Sequence, residues 1–193
     1  CPTCGQRFFG DEEFCPKDGI PLKALEHINE DSLIGATIDG RYTIQKKLGE
    51  GGMGVVYLAI HAILGKPCAV KVLRKEMSSE SEVAERFIQE AGAAAAIGNE
   101  HIIEISDFGQ LPDRSAYFVM EYLEGKSLHE TLKEGPPMSR ELSLRILADC
   151  CEGLESAHAS GIVHRDLKPE NIMLTKRKGV SDFVKILDFG IAK

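Results

Sequence analysis

The sequence predicts an α+β fold, in which a five-stranded antiparallel sheet with one intervening helix precedes a mostly helical part. Short runs of alternating or largely apolar residues begin after Gly40 and are separated by turn residues, a pattern typical of strands. Longer stretches further along the chain carry apolar residues at helical spacing. Together these observations indicate a two-lobed arrangement, and no internal repeat is visible.

The predicted sheet is assembled from short segments on both sides of one helix. Its five strands are expected at 41–47, 55–60, 68–73, 102–108 and 116–122. The first two flank a cluster of glycines, and a strand, a glycine turn and a second strand predict a hairpin. Two further short strands are expected near 172–174 and 184–187.

Helical spacing and capping residues predict three helices. The first covers 78–97, between the third and fourth strands. Ser127 and Glu130 have the spacing of a capping box, which predicts a short helix after them. A longer helix is expected over 139–159. Its predicted buried stripe consists of Leu142, Ile146, Leu147, Cys150, Leu154 and Ala157.

Composition narrows the class of protein and divides the chain into three parts. The net charge of −7 argues against a general nucleic-acid binder, which needs a basic face. No apolar run approaches the roughly 20 residues that span a bilayer. We predict a metal-binding segment at 1–20, a linker at 21–40 and a larger domain at 41–193. Cysteines at CxxC spacing beside such a domain favour a reducing compartment, the cytoplasm.

A glycine-rich hairpin and a lysine point to phosphate binding. Gly49, Gly51 and Gly54 would let backbone N–H groups approach phosphates closely, and a strand rather than a helix follows them, which disfavours a dinucleotide-binding turn. Lys71 ends an apolar strand 17 residues after Gly54, and Glu90 lies on the helix that follows. A Lys–Glu pair there would hold the ammonium group against nucleotide phosphates. An ordinary glycine hairpin and a solvated glutamate are the alternatives.

The strongest signal is the segment 164–171, which reads His-Arg-Asp-Leu-Lys-Pro-Glu-Asn. We expect Asp166 to orient a substrate hydroxyl and accept its proton, and Lys168 to neutralise charge on a transferring phosphoryl group. Asn171 would supply an amide oxygen to a metal ion. Asp188, in the triplet Asp-Phe-Gly, is a carboxylate suited to Mg²⁺.

A second Asp-Phe-Gly triplet begins at Asp107. It precedes the segment 164–171 and falls in the region of the fourth predicted strand. We therefore expect Asp107 to be a turn residue, and Asp188 to be the functional aspartate.

These motifs, in this order and spacing, make residues 41–193 resemble the N-lobe and early C-lobe of a eukaryotic-type protein kinase, with wording closest to bacterial serine/threonine kinases. The resemblance implies ATP and Mg²⁺ as cofactors, serine or threonine hydroxyls of a protein as substrate, and a role in bacterial signal transduction. The residues that it implies as adenine contacts are Leu48, Val56, Ala69 and Met173 through their side chains, and Glu121 and Leu123 through backbone hydrogen bonds.

The span of the motifs also predicts an incomplete domain. The sequence ends just after the Asp-Phe-Gly triplet at Asp188, so we expect the chain by itself to be inactive and leave a membrane anchor beyond residue 193 open. Two alternatives to catalysis are a nucleotide-binding regulatory module without turnover and a zinc-dependent interaction module. The presence of Lys71, Glu90, Asp166, Asn171 and the other motif residues favours a catalyst.

The N-terminal cysteines resemble a zinc ribbon. Cys1 and Cys4 form one knuckle, and Cys15 begins a second in which Asp18 stands where a fourth cysteine is expected. The resemblance implies a structural zinc ion, with docking of a partner protein as a role of the ribbon. His27 is the alternative fourth ligand, and a metal-free relic or a reactive-thiol sensor is the alternative to zinc.

Overall fold

The computed structural model describes residues 14–20, 33–52, 54–78, 81–177 and 179–189. They form two compact units. The first comprises the described residues up to 84 together with 107–122, and the second comprises 85–106 and the described residues from 123 onward.

Strands dominate the first unit, and the second contains helices together with a three-stranded sheet. The strands are β1 (Thr37–Ile38), β2 (Tyr42–Glu50), β3 (Gly54–His61), β4 (Pro67–Leu73), β5 (Ile105–Gln110), β6 (Ala116–Glu121), β7 (Gly125–Ser127), β8 (Ile172–Arg177) and β9 (Val180–Ile186). The helices are α1 (Lys75–Ser78), α2 (Ser81–Ile97), α3 (Leu128–Glu134) and α4 (Arg140–Ala159), with a 3₁₀ turn at Pro169–Asn171. Among these elements no helix is long and apolar enough to cross a membrane.

The sheet of the first unit has the order β1-β2-β3-β4-β6-β5, and its pairs from β1 to β6 are antiparallel. The predicted fold class is confirmed, with β1 as a sixth strand. This strand lies within the segment predicted as a linker. It pairs Thr37 with Thr43 and Ile38 with Tyr42, and two residues are too few to show a period in the sequence.

One face of this sheet carries the apolar core. Side chains alternate between the faces of a strand, so every second residue of β3, β4 and β6 enters the core. Leu33 and Ile38, at 3% and 0% exposed, add the segment before β2 to it. The buried cluster consists of Leu33, Ile38, Tyr42, Ile44, Val55, Tyr57, Ala59, Val70, Val72, Leu111, Tyr117 and Val119.

Polar side chains fasten the segment before β2 to strands β5 and β6. Tyr42 Oη donates to Asp107 Oδ2 at 2.6 Å, and Arg41 Nη1 lies 2.5 Å from the same oxygen. Tyr117 Oη donates to the carboxylate of Asp39. Burial, together with the hydrogen bond to Asp107, raises the pKa of Tyr42 to about 12. The prediction of Asp107 as a turn residue is therefore wrong, because it lies within β5 and accepts these bonds.

Gly109 is required by the path of the Tyr117 side chain. A Cβ atom at position 109 would lie 2.4 Å from Tyr117 Oη and 2.5 Å from its Cζ. The absence of a side chain at Gly109 therefore lets the Tyr117 ring pass to Asp39. The glycine of the earlier Asp-Phe-Gly triplet has a packing role.

The second unit contains the sheet β7-β8-β9 with α4 against β9. The predicted capping box is confirmed, since Ser127 Oγ accepts from Glu130 N at 3.1 Å and the Glu130 carboxylate accepts from Ser127 N at 2.8 Å. On α4, Ile146, Cys150 and Ala157 are buried as predicted.

Two sequence predictions for the second unit need correction. Leu147 was expected in the buried stripe of α4 but is 60% exposed. The predicted strand at 102–108 is observed as β5, which begins at Ile105, while Ile102 forms an isolated parallel bridge with Ile186. Both differences depend on which segment packs against the residue, a property that local spacing does not contain.

Gly109→Ala should destabilise the protein by about 1–3 kcal/mol, because the new methyl group overlaps the buried Tyr117 ring. Urea unfolding measures this loss. Gly92→Ala, on the exposed side of α2 with open space around the site among the described residues, is the matched control and should be neutral or stabilising by roughly 0.5–1 kcal/mol. Equal stability of Gly109→Ala and wild type would contradict the packing role.

Candidate functional site

The glycines between β2 and β3 have two different structural roles. Gly51 N donates to Gly54 O at 2.9 Å and closes the hairpin. A Cβ atom at Gly54 would lie 2.4 Å from Val72 O, so this glycine is required by the close approach of β4. A Cβ atom at Gly49 or Gly51 would meet no heavy atom of the described residues within 4 Å. The fold itself therefore does not require glycine at these two positions, and their role in phosphate binding stays a prediction.

The sheet face opposite the core presents Lys71. Val56 pairs with Lys71 and Lys71 with Phe118, while Ala69 pairs with Met120, so these side chains share one face. Lys71 is 8% exposed, and its Nζ lies 5.7 Å from the centroid of the Phe118 ring. The ammonium group is thus held, largely buried, on the sheet face opposite the core cluster.

The segment 164–171 of the second unit brings three predicted residues together. Lys168 Nζ lies 2.7 Å from Asp166 Oδ2. Asn171 Nδ2 donates to Asp166 O at 2.9 Å and to Asp166 Oδ2 at 3.3 Å. The hydrogen bond from Lys168 to Asp166 raises the pKa of Lys168, so the ammonium form is favoured. One carboxylate therefore holds a cation and an amide beside it.

His164 joins this segment to the residues before Asp188. Its imidazole is buried, and burial lowers its pKa, which favours the neutral ring. Nε2 donates to Leu187 O at 2.8 Å, which leaves Nδ1 to accept from Asp166 N at 3.3 Å. The ring also lies 4.6 Å from the ring of Phe189. The sequence placed His164 in the motif but assigned it no role. Its burial and its two hydrogen bonds indicate that it joins the segment 164–171 to Leu187.

Asn171 and Asp188 are suited to hold a hard cation. Asn171 Nδ2 is used as a donor to Asp166, which leaves the amide oxygen as the ligand atom. Leu187 N donates to Asn171 O at 2.8 Å and so fixes the residue next to Asp188. An amide oxygen and a carboxylate are ligands that Mg²⁺ accepts. The donor set fits the predicted metal.

The residues predicted to contact adenine are divided between the two units. Leu48, Val56, Ala69 and Glu121 belong to the first unit, and Leu123 and Met173 to the second. Their roles in adenine binding stay predictions. Glu90 lies on α2, but its side chain is outside the part of the chain that the structure describes, so the pair with Lys71 also stays a prediction.

Residues 14–20 form a tight turn around Cys15. Gly19 N donates to Cys15 O at 2.8 Å with Gly19 at a φ of 67°, and Cys15 N donates to Ile20 O at 2.8 Å. Cys15 Sγ lies 3.5 Å from Asp18 Oδ2. Cys1, Cys4 and His27 are outside the described residues. Within the described ranges there is no group of three or more side chains that could hold a metal ion.

Comparison with known families shows to which family the chain belongs. The protein kinase domain model matches residues 42–193. The chain belongs to the protein kinase family. The matched residues include the glycine hairpin, Lys71, the segment 164–171 and Asp188, so the family match and the geometry concern the same part of the chain.

Two bacterial serine/threonine-protein kinases are similar to this chain. Serine/threonine-protein kinase Pkn1 of Myxococcus xanthus is 39% identical over all of this chain and 29% of its own length. The kinase pkn3 of the same organism is 42% identical over 84% of this chain and 30% of its own length. The chain thus spans less than a third of these curated relatives.

A solved kinase structure has the same fold. The PknI kinase domain of Mycobacterium tuberculosis is 32% identical, has a TM-score of 0.66, and covers 82% of this chain and 62% of its own. The kinase-like, two-lobed α+β class predicted from the sequence is confirmed.

Substitutions in the glycine hairpin should separate folding from nucleotide binding. Gly54→Ala should cost about 1–3 kcal/mol of stability, because its methyl group meets a backbone carbonyl that cannot rotate away. Gly51→Ala should fold normally and bind ATP–Mg²⁺ more weakly, because its methyl group occupies space left for phosphate. Urea unfolding and titration calorimetry measure the two effects. Equal stability of both variants, or normal nucleotide affinity of Gly51→Ala, would contradict this division.

Proposed function

We propose that the protein transfers the γ-phosphoryl group of ATP to serine or threonine hydroxyls of protein substrates, in bacterial signal transduction. The observation that carries the proposal is the cluster in which Asp166 Oδ2 accepts from Lys168 Nζ at 2.7 Å, with Asn171 bonded to the same residue. A base, a cation and a metal-ligand amide within one hydrogen-bonded group is the set that phosphoryl transfer requires.

Asp166 is the group that acts on the substrate hydroxyl. It is partly buried, and its bonds to Lys168 and Asn171 fix its orientation. The carboxylate would accept the hydroxyl proton as the oxygen attacks phosphorus. Both Lys168 Nζ and Asn171 Nδ2 are donors, so the two bonds leave the second carboxylate oxygen of Asp166 to accept the proton of the substrate hydroxyl.

Several groups of the chain would offset the negative charge of the phosphates. Lys168 would neutralise charge on the transferring group, and Lys71 would bind the nucleotide phosphates. Asn171 and Asp188 would hold Mg²⁺, which would supply positive charge to offset that of the phosphates. Backbone N–H groups of the glycine hairpin can approach the phosphates because Gly49 and Gly51 have no side chain.

A nucleotide-binding module without turnover is the second candidate. It would need the hairpin and Lys71 but neither Asp166 nor Lys168. The short contact between these two residues favours catalysis, because a binding module has no use for an oriented base.

Asp166→Asn in the full-length protein should lower phosphotransfer about 100-fold or more, because the amide cannot accept the proton. ATP–Mg²⁺ should still raise the melting temperature, since the phosphate and metal ligands are retained. Transfer of label from γ-³²P-ATP to protein measures the first effect and thermal unfolding the second. Asp182→Asn is the matched control and should retain activity, because Asp182 has a half-exposed side chain whose carboxylate lies 3.7 Å from Arg145, which is not one of the motif residues.

The two candidate functions give different results in this assay. Wild type that binds ATP–Mg²⁺ without transferring phosphate would favour the regulatory module. Undiminished transfer by Asp166→Asn would contradict the role of Asp166.

We further propose that Cys15 and Asp18 are two ligands of a structural zinc ion, with Cys1 and Cys4 as the others. The convergence of Sγ and Oδ2 to 3.5 Å on a turn closed by Gly19 supports the pairing. A closed four-ligand site has no open position for a substrate. The ribbon would therefore act in structure or in docking a partner protein.

Metal content tests the ribbon. Purified wild type should carry about one zinc per chain, and Cys15→Ser or Cys4→Ser should lose most of it, because a hydroxyl replaces a thiolate ligand. Cys151→Ser, at an exposed position on α4, is the control and should keep its zinc. Equal zinc content in all four proteins would exclude these ligands.

A further inference from the structure

The loop after α2 is bonded to β9 by a group of contacts that we call the clamp, formed by residues 101–103 and 184–186. Ile186 N donates to His101 O at 2.7 Å, and Ile103 N donates to Ile186 O at 3.0 Å. These two bonds make a parallel bridge between the loop and the strand. The clamp is therefore a connection between backbones, whose length and direction are fixed.

Two buried side chains complete the clamp from opposite directions. His101 Nδ1 donates to Val184 O at 3.0 Å, and its ring is stacked on Phe183 with centroids 4.7 Å apart. Lys185, 3% exposed, reaches back from β9 and donates from Nζ to Ile102 O at 3.1 Å. A buried ammonium group needs polar partners, so this bond holds the loop against the strand.

The clamp borders an open pocket of about 400 Å³. The pocket is lined by the end of α2, residues 98–100 and 102–105, Arg177 and Lys185. Side chains that border a cavity lack contacts on that side and can shift more easily than those of a filled core. The polar bonds of the clamp therefore carry much of the connection.

The clamp ends two residues before the proposed metal ligand. Ile186 is followed by Leu187, whose N–H donates to Asn171 O at 2.8 Å, and then by Asp188. Asp188 has a φ of 44°, in the left-handed region that a non-glycine residue enters only when its neighbours hold it. A displacement of Ile186 would thus be transmitted to the Asp188 carboxylate.

We propose that Lys185 is a positioning residue that holds Asp188 in place for metal binding by tying β9 to the loop after α2. This inference rests on the proposed function, because it assumes that Asp188 binds the metal ion of the nucleotide. Lys185 contacts neither nucleotide nor metal in this proposal. It acts through Ile102 O and the backbone of β9.

The test uses the full-length protein with the non-hydrolysed analogue AMP-PNP and Mn²⁺ as the metal. Lys185→Met keeps the length of the side chain and removes the donor and the charge. We expect the dissociation constant for Mn²⁺, measured by electron paramagnetic resonance, to rise about tenfold, the scale of one lost charged hydrogen bond. Hydrogen exchange should become faster in both 101–105 and 184–188. Lys185→Arg should stay within about threefold of wild type, because it keeps a charged donor.

Lys176→Met is the matched control, since Lys176 is an exposed lysine on the neighbouring strand β8. It should bind Mn²⁺ like wild type. Wild-type Mn²⁺ affinity in Lys185→Met, with or without lower stability, would overturn the proposal, as would faster exchange confined to 101–105. If Lys185→Met does not fold, Lys185→Gln decides by the same criteria, and failure of both to fold would show that Lys185 serves folding instead.

Failure of the proposed function is distinguishable from failure of this inference. A wild-type protein that binds Mn²⁺ and AMP-PNP but transfers no phosphate would contradict the catalytic proposal. The effect of Lys185→Met on Mn²⁺ affinity and on hydrogen exchange would still be measured in that protein.

Discussion

The second unit depends on one constraint: the backbone carbonyl groups of residues 184–187 need hydrogen-bond donors from other segments. Val184 O accepts from His101, Ile186 O from Ile103 N, and Leu187 O from His164. An unsatisfied buried acceptor costs about 1–3 kcal/mol, so each of these donors fixes the segment that carries it. The strand before Asp188 thereby organises the loop after α2 on one side and the segment 164–171 on the other.

The physical reason why glycine occupies a motif position differs from one position to the next. At Gly54 the reason is a neighbouring carbonyl, at Gly109 it is the ring of Tyr117, and at Gly51 it is space that the fold leaves open. The triplet at 107–109 shares its letters with the triplet at Asp188, yet its aspartate is bonded to Arg41 and Tyr42. The position of the triplet 107–109 before the segment 164–171 argued against a metal site at Asp107. Only the contacts of Asp107 with Arg41 and Tyr42 explain why an aspartate lies at this position.

The sequence predicted what depends on neighbours in the chain. The hairpin, the capping box at Ser127 and the fold class were correct, because glycine turns, caps and strand periods are local. Leu147 was placed wrongly, and β1 was not foreseen, because burial and two-residue pairing depend on distant segments. The reactive groups were predicted from residue type and spacing, and their roles stay predictions. The bonds of His164 and Lys185 to distant carbonyls leave no pattern in the sequence.

The conformation of Asp188 shows why these supporting bonds matter for chemistry. A non-glycine residue in the left-handed region costs on the order of 1 kcal/mol or more, so a φ of 44° persists only where the flanking residues are held. Leu187 is held through both of its backbone polar groups, since its N–H donates to Asn171 O and its carbonyl oxygen accepts from His164 Nε2. The Phe189 ring lies against the same imidazole. The backbone that carries the proposed metal ligand Asp188 is thus held in place by its neighbours. A metal site whose ligands are fixed in advance loses less conformational entropy on binding, and that saving is provided by residues that never touch the metal.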